Sequence, residues 1–464
     1  MQLKERCSLR NALTTATYGL LGIMPGVALA SSDATKADTA LFYYKENNKR
    51  IDVTATTANI VIPIASEETV TIMPTMDVIT GASPIGATPT DKTQTFGNTT
   101  IAPGQLPIQS MTDKRYAISL KWAFPVNRLT RTVAGANYSI EKDYASLGAN
   151  YNRMWDTENK LTTLTLGVSA SADTVTPSTG VIYNGLSSVY GPNSTNNTIA
   201  KAVHIEDDKP LIISTPNVAT VTGASGTVTG VTGSTGSSSA SVNDTAELPS
   251  RSKTVMDALI GITRVLNRRT LMQINYSIGS TSGYLTDPYK IISEVDTSGN
   301  TTGYLTEKRP TTRLRQTLYW ETVLHLPSDV VHLSYRRYWD SWQIASNTFE
   351  LNYHFKVWHG SYFEPLARYY TQSAAYFYHH SLIDVATLPA YASADSRLAE
   401  MQSMTYGLKF GIPLGDSGEV SVMAMRMKQT GNSYPSDAVG IQKSFNLYPG
   451  LVANTIQVNL SFTL

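Results

Sequence analysis

About sixteen stretches of alternating apolar and polar residues run through this chain, and the segments that join them alternate in length. A period of two marks a strand with one apolar and one polar face. The stretches lie at about 39–45, 50–62, 69–79, 114–124, 130–141, 147–155, 160–170 and 253–264. They continue at about 270–280, 313–326, 330–339, 347–357, 361–372, 404–412, 419–429 and 454–464. Every even-to-odd connection is tight, as at Ala65–Glu68, Asp156–Asn159, Asn267–Arg269, Pro327–Asp329 and Gly415–Gly418. Most odd-to-even connections are long: Thr80–Asp113, Ser171–Ser252, Thr281–Thr312, Ser373–Ser403 and Thr430–Ala453. A soluble sandwich has no reason to sort its loops by parity. A barrel in an outer membrane does, with short periplasmic turns and long outer loops.

The final stretch has the same character. Ile456, Val458, Leu460, Phe462 and Leu464 alternate with Thr455, Gln457, Asn459, Ser461 and Thr463. The first set suits lipid and the second an aqueous lumen. An open sheet would leave unpaired backbone in lipid, so the sheet must close. The expected fold is therefore all-β: a transmembrane antiparallel up-and-down β-barrel of about sixteen strands, both termini periplasmic.

Composition agrees. Charged residues are 16% of the 464, below the soluble norm of about 25%. Tyr outnumbers Phe by 26 to 10, which fits interfacial girdles better than a dry core. Net charge is near zero, so nothing points to nucleic acid or another strongly charged partner. The expected partners are outer-membrane lipid, a small polar solute and a protein bound at the outer loops.

Residues 1–30 read as a secretory signal. Lys4, Arg6 and Arg10 precede an apolar run from Ala12 to Leu29, and Ala28-Leu29-Ala30 offers a cleavage site. The only cysteine, Cys7, lies in that segment, so residues 31–464 form one barrel domain without disulfide or thiolate chemistry. Within the long loop 171–252, Val218–Asn243 is a low-complexity segment rich in Gly, Ser, Thr and Val.

The same period assigns a lumen face. It carries Arg115, Lys121, Glu141, Asp257, Arg313, Arg315, Glu321, His325 and Arg336. Glu350, His354, Lys356, Glu364, Arg368, Lys409, Arg426 and Lys428 complete the set. Arg or Lys facing lipid at mid-depth costs about 2–4 kcal/mol, which is why these side chains are placed inside. Arg337 is left outside near a strand end, where it can snorkel. Sixteen strands enclose more space than side chains fill, and inward-folded loops suit that space. The lumen reads either as a polar conduit for a small hydrophilic solute or as a salt-bridged wall, and the two are compatible.

No nucleophile elbow, phosphate loop or haem motif is present, and no cofactor is expected. His379-His380, and His204 with Glu206, Asp207 and Asp208, are weak candidates for a divalent cation. A hydrolase at the barrel rim is a third functional reading, after a conduit and a closed barrel that binds a partner.

Several loop segments carry more information than a generic loop needs. They are Thr80–Pro89 (TGASPIGATP), Asp143–Ala149, Gly283–Lys290 (GYLTDPYK), Gln372–Tyr378 and Tyr391–Asp395 (YASAD). Together they resemble a family of bacterial outer-membrane proteins known only as a domain of unknown function. The resemblance runs from about Ala40 to Leu464, and Gly283–Lys290 is its most specific part. Ile85 departs from the Asn expected there, and the Val218–Asn243 insert is particular to this chain. The resemblance implies an outer-membrane barrel and supplies no catalytic residue.

All five segments fall at the outer ends of strands or in outer loops, where function concentrates. Gly81, Gly86 and Gly283 permit positive φ, and Pro84, Pro89 and Pro288 fix turns. Asp287, Lys290, Arg309, Asp340, Asp395 and Arg397 are expected to form a charged lattice over the mouth. Tyr284, Tyr289, Tyr376, Tyr378 and Tyr391 are expected to give it an aromatic floor. These residues are read as an ordered outer vestibule, or else a lid that braces the barrel.

Overall fold

A computed structural model describes residues 34–96, 99–177, 185–186, 188–190, 250–383 and 388–464. The signal segment, the Val218–Asn243 insert and the His204 cluster lie outside the described residues. Sixteen strands pair in chain order and close into one antiparallel barrel. They are β1 (Lys36–Glu46), β2 (Asp52–Ala65), β3 (Glu68–Pro84), β4 (Ile108–Asn127), β5 (Thr130–Ile140) and β6 (Tyr144–Asp156). Next come β7 (Thr162–Val175), β8 (Arg251–Asn267), β9 (Thr270–Gly283), β10 (Thr312–His325) and β11 (Asp329–Asp340). The last are β12 (Ala345–Lys356), β13 (Tyr362–Gln372), β14 (Met401–Leu414), β15 (Gly418–Gly431) and β16 (Leu451–Thr463). Closure is made by β1 against β16, from Lys36 opposite Thr463 to Glu46 opposite Ala453. Each expected strand is found, extended by a few residues at one or both ends in most cases. No helix among the described residues is long and apolar enough to cross a membrane.

The outer wall is apolar because the period of two is kept in register across neighbouring strands. Ile118, Leu120, Leu166, Met256, Ile260, Leu318, Leu351, Leu408 and Ile456 all stay exposed on it. In a soluble protein such a belt would be an aggregation surface; around a closed barrel it is a lipid face. Trp122 and Phe124, with rings 4.4 Å apart, sit near the short-turn end of this face.

One strand departs from the expected register. Arg426 and Lys428 face outward, because Arg426 stands opposite outward-facing Tyr406 and both cations are exposed. Met423, Met425 and Met427 face inward instead. The two cations lie close to the long-loop end of β15, where long side chains reach the interface. Met427 packs inside against Tyr44, Val53, Leu451 and Ala453, so an apolar group is accommodated on the inner face there. Arg337 does face outward, and its Nη1 donates to Asn347 Oδ1 at 3.0 Å.

The long loops have structure of their own. A four-stranded sheet in the order Ser188–Tyr190, Thr301–Thr306, Ile291–Val295, Leu382–Ile383 draws on three different loops. A small hairpin, Gln94–Phe96 with Thr99–Ile101, lies in the loop after β3.

Candidate functional site

The loops meet across the mouth of the barrel. The loop after β3 and the loop after β9 are separated by several strands around the wall, yet Ile291 N donates to Ile85 O at 2.9 Å. Gln442, in the loop after β15, donates through Nε2 to Gly299 O at 2.8 Å and to Pro89 O at 3.3 Å. Lys308 and Ala392 form a two-way bridge between the loops after β9 and β13. Apolar packing follows these contacts. Ile85, Ala87, Phe96, Ile101 and Tyr304 make one small core, and Trp342, Ile344, Ala375, Phe377 and Leu398 make another.

The cap reaches the inner wall. Inward residues near the long-loop ends of the strands are buried, among them Tyr44, Asp77, Asp173, Lys253, Gln372 and Met427. Gln372 Nε2 donates to Arg397 O and Ala399 O in the cap, and Gln429 Nε2 donates to Tyr448 Oη at 2.8 Å. Farther down, on β10–β13, some inner-wall side chains are partly exposed. The ion-paired side chains of Glu350 and Arg368 keep 22% and 23% of their surface, and the hydrogen-bonded side chains of Glu321 and His332 keep 19% and 39%. The long loops thus pack together over one end of the barrel. Toward the short turns some inner residues, such as Gln273 and Thr132, are buried as well.

At the centre of the cap lies a cluster of charges. Arg309 meets Glu307 at 2.6 Å and Asp395 at 2.8 Å. Arg397 clasps Asp395 and reaches Asp287 at 2.9 Å. Lys290 donates to Pro84 O and, at 3.3 Å, to Ser83 Oγ. Ser393 Oγ donates to Glu307. Three acids and three bases balance here, and opposite charges at contact distance favour each other's ionised form. Burial pushes the Asp395 and Asp287 carboxyls up, but Arg397, Lys290 and Arg309 outweigh it and hold both below the usual range. Burial wins at Glu307, whose carboxyl is pushed up against the pull of Arg309. Burial, with Arg397 beside it, lowers the Lys290 ammonium to about 8.

Five of the six residues expected in the charged lattice meet in this way. Asp340 does not join them. It pairs with Arg313 on the wall and accepts from the amides of Trp342 (2.9 Å) and Ile344 (3.0 Å), which fixes the turn after β11. Glu307 is the member that sequence reasoning missed, since one acid in a loop carries no spacing signal.

The five tyrosines form no single floor. Tyr289 Oη donates to Asp143 Oδ2 at 2.6 Å, and Tyr284 N donates to Ser252 O at 3.0 Å, so both tie loops to strand ends. Tyr376 is 47% exposed, while Tyr378 and Tyr391 pack beside Trp342 and Phe377. Those last two rings, 5.1 Å apart and edge to face, hold the apolar centre instead. Gly81, near the end of β3, and Gly283, the last residue of β9, stand at φ +123° and +115°, where a Cβ would strike Arg50 O or Ser252 O. Gly86, at φ +100°, lies against Ile291 O at the crossing of two loops. Pro84 ends β3 and offers its carbonyl to Lys290, and Pro288 shapes the turn that Lys290 N closes onto Asp287 O.

Among the lumen candidates, Arg315 pairs with Asp257 at 3.0 Å and Glu364 lies 3.6 Å from His354. Arg336 lies over the ring of Tyr319, and Lys356 is exposed at the short-turn rim. His380 stands 3.9 Å from Asp437, and among the described residues no group of three or more His, Cys, Asp or Glu side chains is placed to hold a metal.

A family model described as "Protein of unknown function (DUF3570)" matches residues 10–462. The chain belongs to this family. No curated protein matches the sequence. Among solved structures, this DUF3570 member is similar to a bacterial polysaccharide outer membrane secretin. Identity is 6% and TM-score 0.41 over 93% of this chain and 99% of that one. It is similar to a mutant of the ferric enterobactin receptor (PfeA) from Pseudomonas aeruginosa at 8% identity and TM-score 0.40, over 92% and 59% of the two chains. It is similar to the outer membrane protein opdK of Pseudomonas aeruginosa at 7% identity and TM-score 0.38, over 93% and 99%. The barrel of this DUF3570 protein is defined by its own strand pairing rather than by any of these likenesses.

Proposed function

We propose that this protein is a conduit for a small polar solute in the outer membrane of a Gram-negative bacterium, held shut at its outer end by the loop cap. The reading rests on one observation: below the cap, on β10–β13, the inner wall carries partly exposed charged side chains of both signs inside an apolar outer wall. A wall needed only for rigidity could be packed with apolar groups or with fully buried pairs. Short turns then face the periplasm, and both termini lie there. Arg313, Arg315, Glu321, Arg336, Glu350, Glu364 and Arg368 line the path, with Lys356 at its periplasmic rim. Gly81, Pro84, Gly86, Gly283–Lys290 and Asp395 build the outer closure, with Tyr376 and Tyr391 toward its edge. The chain is proposed to move solute rather than to catalyse.

A second reading has a specific observation in its favour. The six-charge cluster makes the cap rigid, and a rigid cap suits a closed barrel that displays its loops to a partner protein or ligand. The rim hydrolase has no comparable support.

Folded protein in liposomes separates the two. Swelling is measured with sugars, amino acids and small anions, for the native chain and for a loosened cap (Asp395→Asn with Arg397→Gln). The conduit reading expects flux that rises when the cap is loosened. Folded barrels that pass nothing in either form would sink it and leave the display reading.

A further inference from the structure

On the wall of β10–β15, between the two rims, the glutamates are all engaged. Glu321 accepts from Tyr319 Oη at 3.1 Å and lies 3.2 Å from His332 Nδ1. Glu350 pairs with Arg368 and accepts from Asn352 Nδ2 at 3.0 Å. Glu364 faces His354, and Glu419 accepts from Tyr362 Oη at 2.6 Å.

The cations of the same wall divide into two groups. Arg313, Arg315 and Arg368 each have a carboxylate partner. Arg336 and Lys409 make no ion pair within 4 Å among the described residues, although Glu364 stands opposite Lys409 and Glu350 lies near Arg336. Each is instead parked over a tyrosine face: Arg336 lies 5.4 Å from the centre of the Tyr319 ring, and Lys409 lies 5.2 Å from that of Tyr362. A ring face holds a cation in place by its quadrupole and leaves its N–H donors unspent. The unspent donors of Arg336 form a planar fork suited to carboxylate or phosphate oxygens, whereas Lys409 is a compact point charge.

The two sit at different depths. Through Thr348 and Tyr370, Arg336 is level with Ser403 on β14. Lys409 lies farther along β14 toward the short turns, roughly 20 Å away at the usual rise per residue. One small solute cannot touch both at once, but it can pass from one to the other. Two weak sites in succession let a solute enter and still leave.

We propose that Arg336 and Lys409 are two successive recognition points in the lumen for a solute bearing anionic oxygens, a carboxylate or a phosphate. Their role in passage rests on the conduit reading; their capacity to bind is read separately, by titration without any flux.

The test is isothermal titration of the full refolded chain in detergent, with heat-modifiable migration as the check on folding. The probes are sodium succinate, inorganic phosphate and, as a neutral control, maltose. The native chain is expected to bind at least one anion and not maltose. Arg336→Gln is expected to weaken binding at least about tenfold, the worth of one hydrogen-bonded charge, and Arg336→Lys by less. Adding Lys409→Gln to Arg336→Gln is expected to abolish it. Succinate alone would identify a carboxylate, phosphate alone a phosphoryl group, and both together anionic oxygens in general. A folded native chain that binds neither anion overturns the proposal, and so does a double variant that binds like the native chain. Anion binding without liposome flux would strike the conduit reading alone.

Discussion

Arg309 and Asp395 come from different loops, yet their side chains meet at 2.8 Å with 2% of each exposed. The contact joins the loop after β9 to the loop after β13, and Arg397 fastens the same carboxylate from the other side. The cap is therefore held by an acid that two guanidinium groups share.

Replacing Asp395 by Ala leaves Arg309 and Arg397 buried without that acid. The expected cost to the cap is about 3–5 kcal/mol, the usual penalty for breaking a buried pair. The barrel strands do not depend on this contact. Limited proteolysis is therefore expected to cut within 284–311 and 373–400 while heat-modifiable migration of the barrel is kept. Unchanged protease resistance would show that the cluster does not hold the cap.

Acid is expected to open the cap as well. The Asp395 and Asp287 carboxyls are held below their ordinary value of 3.8 in the folded cap. The opened cap then binds more protons, so their stabilisation is complete above about 3.8 and is lost progressively as pH falls below it. Glu307 acts in the opposite sense, since its raised carboxyl opposes the fold more as pH rises past 4.5. Pepsin sensitivity of the loops between pH 4 and pH 2 reads the aspartate contribution, and Glu307→Gln is expected to leave the response in that window nearly unchanged.

The basic limb has its own sign. With Lys290 near 8 in the folded cap and 10.5 when opened, the opened form binds more protons between those values. Cap stability is expected to rise across that window. Lys290→Met is expected to flatten the rise, measured as the pH dependence of loop proteolysis by a protease with constant activity from pH 8 to 10.

Gly283→Ala is expected to destabilise the end of β9. The backbone there is at φ +115°, and the new Cβ would lie 2.3 Å from Ser252 O. Strain of this kind costs about 1–3 kcal/mol. A denaturant titration in lipid vesicles that shows no shift would contradict the strained geometry.

Leu318 and Ser334 test the two faces of the wall. Leu318→Arg puts a cation on the lipid face at mid-strand and is expected to cost about 2–4 kcal/mol of folding stability. Ser334→Arg puts one inside, opposite Glu321 and Glu350, and is expected to cost much less. Equal costs in vesicle-based unfolding would reverse the assignment of faces.

The barrel was legible because a membrane imposes a strict rule on every strand. The alternation that put Ile456 outside and Gln457 inside holds in the structure, and the parity of the loops fixed the order of pairing. β15 escaped the rule because its inner residues near the cap meet packed loops and strands rather than water. There methionine is as welcome inside as arginine is at the membrane interface. The cap was legible in part. Segments such as Gly283–Lys290 pointed to it, and Asp287, Lys290, Arg309, Asp395 and Arg397 do converge. Glu307 did not show, because contact between loops far apart in the chain leaves no period. Asp340 was misplaced because its own turn offered nearer amides to bind.

The contacts that seal the mouth join segments far apart in sequence. Lys290 reaches Pro84, and Gln442 reaches Pro89. The ends of such contacts find each other only after the strands between them are in place, since closing a long loop of chain costs entropy before any contact rewards it. Pairing of the intervening strands therefore has to precede the seal. During biogenesis each molecule passes through an interval in which those strands are paired and the mouth is still unlatched.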